Sequence, residues 1–563
     1  MVANRRGAEI VWPALFCALF IALANVAGYV CSRAVAADGY ALHWPSAPAL
    51  VIVVAALWVA SYLLLRALFL WLDKHSEGGW RTVAAAGFFR RHCLIVSAAV
   101  IALCWLPYLI IYFPGTLTWD GARSMNQFIT DAPLENHHPV LMNLLYAGLM
   151  TLGRALYSDN LGLLLIVTLQ YAACVAAFAA SVRQLVRMEA PRWLVAASLA
   201  FFALYPGWGL FAQTAIKDTL FFAVFCWYVL SLLRLMGTAR PAPGSWAAVL
   251  IASLVLCFTR NNGIYIALPT LLAAAAFYGF GRTFPRRVGR RSARTAVGLA
   301  VACAVVYLLV MNVAWPALGI NTRENKEMLS IPFQQTARTL LEHPGDATDA
   351  ERAAIAAVLP YDDLADLYLP DLADPVKESL LDESGNLEGR ERDTYFRAWF
   401  SMGLRHPATY LRATLANTYA YFYPWAIVGP NVDRPLWYVW MQGEPINKTF
   451  QVHNLMPDEV RRPVTKFFDA QLSIPVLSAL YSPALYVWAF LVLVTYAFHR
   501  GNRRALVLAV PMLLLTVLAG PLNGQLRYVL PIACALPLLA GCLLAPAPSP
   551  RGKDLSCTAA SLS

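Results

Sequence analysis

Four short polar clusters interrupt an otherwise apolar chain and carry its reactive side chains. The first lies in FPGTLTWDGARSMNQFITDAPLENHHPVL, Phe113 to Leu141, which holds Asp120 after Trp119 and Glu135 ahead of the pair His137-His138. The second is Lys217-Asp218 in AIKDTLF, and the third is Arg260-Asn261-Asn262-Gly263. The fourth is Asn523, Gln525, Arg527 and Tyr528 in PLNGQLRY. An unpaired charge in hydrocarbon is costly, so each cluster belongs at the end of an apolar segment or beyond it. Taken singly, a cation at a helix end is equally well explained by snorkelling to the headgroups. Carboxylates and cations in neighbouring loops together make a site.

Asp120 is the candidate catalytic residue, because a carboxylate at the membrane edge can take a proton from an acceptor hydroxyl. Partial desolvation there is expected to raise its pKa, with nearby cations pulling it back. Lys217, Arg260 and Arg527 can hold a phosphate, Arg as a planar fork and Lys as a point charge. With His137, His138, Asp218 and Asn261 they form the candidate substrate-binding set. Glu135, His137 and His138 are candidate ligands for a divalent metal ion, although two adjacent His are more often a loop detail than a metal site. Neither GxGxxG nor a Walker-type GxxxxGKS/T occurs, so a soluble nucleotide donor is not indicated. A lipid-linked donor needs no such loop, since the bilayer delivers it. The bland reading of Asp120 is a helix cap near Gly121.

These clusters need a membrane scaffold to hold them. Of 563 residues, 59% are hydrophobic and 14% charged, and mean hydropathy is +0.54. Apolar runs near ~20 residues recur along the chain. The fold class expected is all-α, a polytopic transmembrane helical bundle of about 12 spans with a mainly helical extracytoplasmic domain. The first run, Val11 to Cys31, follows Arg5-Arg6 and reads as a retained signal anchor. The net charge of +11 does not point to nucleic acid, because the arginines gather in short loops. Loops bearing Arg90 and Arg91, Arg183 to Arg192, Arg282 to Arg294, and Arg500 to Arg504 are assigned to the cytoplasm. That assignment puts both termini inside, all four clusters outside, and the protein in the plasma membrane. The segment His138 to Tyr157 resists the scheme. It is expected to lie in the interface or re-enter, with a full span as the alternative.

Residues 1–92 read as two spans and a cytoplasmic loop, and 93–319 as the transmembrane core with its first outer loop at 113–138. Residues 320–478 form the outer domain, 479–546 the last spans, and 547–563 a disordered cytoplasmic tail. The outer domain holds Asp362, Asp363, Asp366, Asp371 and Asp374, and no Cys lies between Asn321 and Ser473. Its aromatic segment, Tyr410 and Tyr419 to Trp425, is expected near the membrane surface. No internal repeat is evident.

The order of these elements resembles a known class. A span, an outer loop with an Asp near its start, and a Pro-led helix from His138-Pro139-Val140-Leu141 through NLLYAGLMTLGRALYSDN are followed by a second Asp loop, AIKDTLFF. This is similar to the GT-C membrane glycosyltransferases, the class of protein O-mannosyltransferases and lipid A aminoarabinose transferases. It resembles more closely a bacterial GT-C-like group with FPG-x-x-x-x-D, HHP, KD, RNNG and RY-x-x-P motifs, over roughly Cys93 to Leu544. The resemblance implies sugar transfer from a polyprenyl-phosphate donor to an envelope glycan, lipid or protein at the outer face. It implies Asp120 as the first-loop catalytic carboxylate and Asp218 as the second-loop acid. Two departures keep sugar and acceptor open: Gly121 stands where the mannosyltransferases have the Glu of an Asp-Glu pair, and His138-Pro139 where the aminoarabinose transferases have Lys-Pro. The alternatives are a lipid-carrier flippase or transporter, since intramembrane charges also mark transport paths, and a non-enzymatic scaffold for envelope assembly.

Overall fold

A helix of about 20 residues is about 30 Å long, which is the thickness of bilayer hydrocarbon. The apolar runs of this chain fold on that scale. The computed structural model describes residues 11–545 except 37–41, 77–83, 131–133, 137, 239, 282–284, 323–324, 383–384, 427–448 and 518–522. The first half comprises α1 (Trp12–Ala36), α2 (Ala47–His75), α3 (Ala84–Ile111), the short α4 (Trp119–Asn126), α5 (Val140–Leu156), α6 (Asp159–Arg187), α7 (Arg192–Leu204) and α8 (Pro206–Ala212). It continues with α9 (Lys217–Leu235), α10 (Pro243–Thr259), α11 (Gly263–Phe280) and α12 (Arg286–Leu309), the last running on through a π turn, Val310–Ala314. The helices of the long polar region are α13 (Ser330–Glu342), α14 (Asp349–Ala356), α15 (Gly389–Arg405), α16 (Pro407–Thr418) and α17 (Asp458–Leu472). The chain closes with α18 (Pro483–Arg500), α19 (Arg503–Val517) and α20 (Leu526–Leu544).

The architecture is all-α and that of a multi-pass membrane protein. Among the described residues, eight helices are long and apolar enough to cross a membrane, or nine if the bent pair α7–α8 is one span. The expectation of about 12 also counts α10, α18 and α19; as described they have 17, 18 and 15 residues, near or below the short end for a transmembrane helix. The bend of 46° between α7 and α8 falls at Tyr205-Pro206, where proline removes a helical hydrogen bond. α2 presents Ile52, Leu63 and Leu64 outward, as a helix facing lipid does. α9 and α20 are enclosed, with Tyr228, Leu232, Leu530 and Leu538 fully buried.

The segment with two expected placements, α5, runs antiparallel to the first half of α6. Gly153 packs on Gly162, where a Cβ would stand 2.0 Å from the Gly162 nitrogen. Further along, the Tyr146 hydroxyl donates to Gln170 Oε1 at 2.9 Å. Its 17 residues stand at the short end of the range for a transmembrane helix.

The polar-region helices enclose a core of their own around Phe333, Ile355, Leu359, Tyr395 and Met402. The fully buried Arg338 donates to Glu342 Oε1 at 2.8 Å and to the Tyr368 hydroxyl at 3.1 Å. Arg405 grips Glu351 at 2.6 Å and brings its carboxyl down to about 2, against the opposing effect of burial. In the aromatic segment expected near the membrane surface, Tyr419, Tyr421 and Tyr423 are buried within the protein. They pack inward, with Tyr419 and Tyr423 clustered on Cys31 of α1, because Gly28 leaves room: a Cβ there would stand 2.2 Å from the Tyr423 Cβ. Of that segment, Trp425 is exposed.

Candidate active site

The loops bearing Asp120 and Asp218 are fastened together by a feature with no apolar period to announce it. After α3, Gly115 turns the chain at φ +139°, a conformation open to glycine. Thr116–Leu117 then pairs in parallel with Thr214–Ala215, in the register Thr116 to Thr214 and Leu117 to Ala215. The Thr116 hydroxyl donates to Gln213 Oε1 at 2.9 Å. Each strand leads within two residues into a helix, and the second residue of each helix is an aspartate. Asp120 and Asp218 therefore occupy equivalent places, each four residues beyond a paired threonine. The spacing Thr-x-x-x-Asp occurs in both loops and was the available sequence signal for this local repeat.

Thr118 caps α4, accepting from the Gly121 amide at 3.0 Å and donating to the Ala215 carbonyl at 3.2 Å. The cap is thus Thr118, not Asp120. Gly121 sits so close to the second loop that a Cβ would lie 2.2 Å from the Ala215 oxygen. That contact leaves no room for the glutamate expected by analogy with an Asp-Glu pair.

All four polar clusters meet here. Arg527, at the start of α20, donates to Asp120 Oδ2 at 2.6 Å, and its Nη1 lies 3.6 Å from Asp218 Oδ2. Arg260 donates to the other oxygen of Asp218 at 3.2 Å. The result is a chain of alternating charge, Asp120–Arg527–Asp218–Arg260. Asp218 is 1% exposed, and the side chain of Asp120 retains 21%. Tyr528 packs between the arginines, its ring centroid 5.1 Å from each guanidinium carbon, and Arg260 also lies 5.2 Å over Phe221. Such faces stabilise a desolvated guanidinium. Lys217 Nζ contacts His138 Nδ1, which carries the first loop's end to the same place. Asn261 donates to the Asn136 carbonyl at 2.7 Å and ties the third cluster to the first.

Burial would raise the Asp120 carboxyl, but the charges of Arg527, Lys217 and His138 outweigh it and hold the group well below the usual carboxylate range. The expected pKa rise at Asp120 is therefore reversed, because the decisive cation comes from 407 residues away. Asp120 rests as an anion across the physiological range.

Two of the three candidate metal ligands have cationic neighbours. The Glu135 carboxylate faces Arg123 at 3.6 Å, and the His138 Nδ1 faces Lys217. His137 lies outside the described residues. Among the described residues, neither Glu135 nor His138 belongs to a cluster of three metal-ligating side chains. Phe221 and the strand threonines are the members of the site that sequence reasoning did not single out.

A family described as "Family of unknown function (DUF6020)" matches residues 128–550. The chain belongs to this family. The DUF6020 region takes in His138, Lys217, Asp218, Arg260, Asn261 and Arg527, while Asp120 lies just ahead of it. No curated protein and no solved structure matches the chain.

Proposed function

We propose that this DUF6020 protein is a membrane glycosyltransferase of GT-C type, working on a polyprenyl-phosphate-linked sugar at the outer face of the plasma membrane. The observation that carries this reading is the buried chain Asp120–Arg527–Asp218–Arg260. It holds two guanidinium forks next to a carboxylate anion, the pairing needed to grip a phosphate and to remove a proton. Next to Arg260, Asn136 and Asn261 line a small recess with Phe258, Tyr307, Met311 and Trp315. Met311 belongs to the π turn that continues α12, and such turns are frequent at functional sites.

In this mechanism the donor phosphate takes Arg527 and Arg260. Asp120 then loses its strongest cation and becomes a better base. The acceptor oxygen attacks the anomeric carbon and its proton passes to Asp120. The bond from the anomeric carbon to the phosphate oxygen breaks, and its electron pair leaves with polyprenyl phosphate. Donor binding and base activation are thereby one event. The transporter reading is less well supported. The charged residues stand at helix ends, the second residues of α4, α9 and α20 and the C-cap of α10, whereas transporter sites lie near the bilayer midplane.

The reading requires the polar-region helices and the site to face away from the cytoplasm. In a variant lacking Cys557, a cysteine at Asp363 is expected to react with a membrane-impermeant thiol reagent in intact cells, and one at Arg290 to stay unlabelled. Both positions are exposed. Labelling at Arg290 but not Asp363 would place the site on the cytoplasmic side and end the proposal.

A further inference from the structure

Far from the charged cluster in sequence, two helices of the polar region end in the same way. α13 ends before His343-Pro344 and α15 before His406-Pro407. Proline disfavours the α conformation in the residue ahead of it. The two histidines leave their helices with matching backbones, φ −133°, ψ 62° and φ −123°, ψ 53°. Their rings stack with centroids 4.0 Å apart and planes within 18° of parallel. Gly345, at φ +92°, turns the chain so that Asp346 joins them, and Asp346 Oδ2 lies 3.4 Å from His406 Nε2. One ligand atom from each of the three side chains falls within 4.8 Å of the others.

The surroundings prepare these groups to bind a cation. The Thr409 hydroxyl donates to Glu342 Oε2 at 2.8 Å, since an ionised carboxylate only accepts. That hydroxyl has one proton, so at 3.1 Å it accepts from His343 Nε2. The neutral His343 ring therefore keeps its lone pair on Nδ1. Histidines that bind metals commonly have their tautomer set by such an outer hydrogen bond. His406 Nε2 is buried and makes no hydrogen bond in the structure, despite the approach of Asp346. The C-terminal ends of α13 and α15 both point at the group, and helix C-termini favour positive charge. The nearby cations are already matched: Arg338 and Arg412 pair with Glu342, and Arg405 with Glu351.

We propose that His343, Asp346 and His406 bind a zinc ion that clasps the α13–α14 corner to the α15–α16 corner, with its fourth position open. Two imidazoles and one carboxylate form a donor set suited to zinc, whereas calcium and magnesium prefer all-oxygen sets. To reach zinc distances of about 2.0–2.2 Å, the stacked rings must turn out of parallel so that their in-plane lone pairs converge.

The test uses the purified full-length protein after chelator treatment, titrated with zinc and, separately, with cobalt as a spectroscopic probe. One zinc per chain is expected, with a raised melting temperature and cobalt bands free of thiolate charge transfer. His406→Ala is expected to remove the binding. Asp346→Asn, at a largely exposed position, preserves the fold and is expected to weaken it at least ~10-fold. Substoichiometric zinc, zinc binding unchanged in both variants, or cobalt bands of thiolate type would each overturn the proposal.

Discussion

Asp120→Asn is expected to lower sugar transfer at least ~100-fold, the scale of a lost general base, with little change in melting temperature. The amide cannot accept the acceptor's proton. The fold survives, because Arg527 keeps Asp218 at 3.6 Å as a counter-charge and α4 keeps its cap on Thr118. Capping by Asp120 is therefore no longer a competing explanation for a silent substitution. Transfer rate and thermal stability measured together decide the matter. A stable variant with near-normal transfer would remove Asp120 from the chemistry.

The second large effect concerns Asp218, which touches no solvent and stands between two arginines. Asp218→Ala leaves Arg260 buried without its carboxylate. Removing one partner of a buried ion pair costs about 3–5 kcal/mol. The rings of Phe221 and Tyr528 over Arg260 offset about 0.5–2 kcal/mol of such a loss at most. A clear fall in the melting temperature of protein in nanodiscs is therefore expected, together with lost activity. Melting indistinguishable from wild type would show that the Arg260–Asp218 contact carries no stability.

The four clusters were legible in the sequence because charge at the end of an apolar run is rare and needs a reason. Their convergence follows from helix ends meeting on one side of a bundle. What the sequence did not yield was the pairing inside the site. Arg527 and Asp120 are joined only by tertiary packing, and that pairing reversed the expected pKa of Asp120. The two-residue strands at Thr116 and Thr214 are too short for an alternating pattern to reveal them. The aromatic run at Tyr419 reads as interfacial because ring-rich segments usually are; its packing on α1, where Gly28 lets Tyr423 in, has no sequence signal. The expected spans beyond the eight or nine are α10, α18 and α19, whose apolar composition reads as a span while their described lengths lie near or below its short end.

The most direct measurement supplies purified protein in nanodiscs with radiolabelled polyprenyl-phosphate sugars, using envelope membranes as acceptor. The expected result is movement of label from carrier to acceptor for one of the sugars, release of free polyprenyl phosphate, and loss of both in Asp120→Asn. Label that stays on the carrier for every sugar, with folded wild-type protein present, would contradict the assignment as a glycosyltransferase.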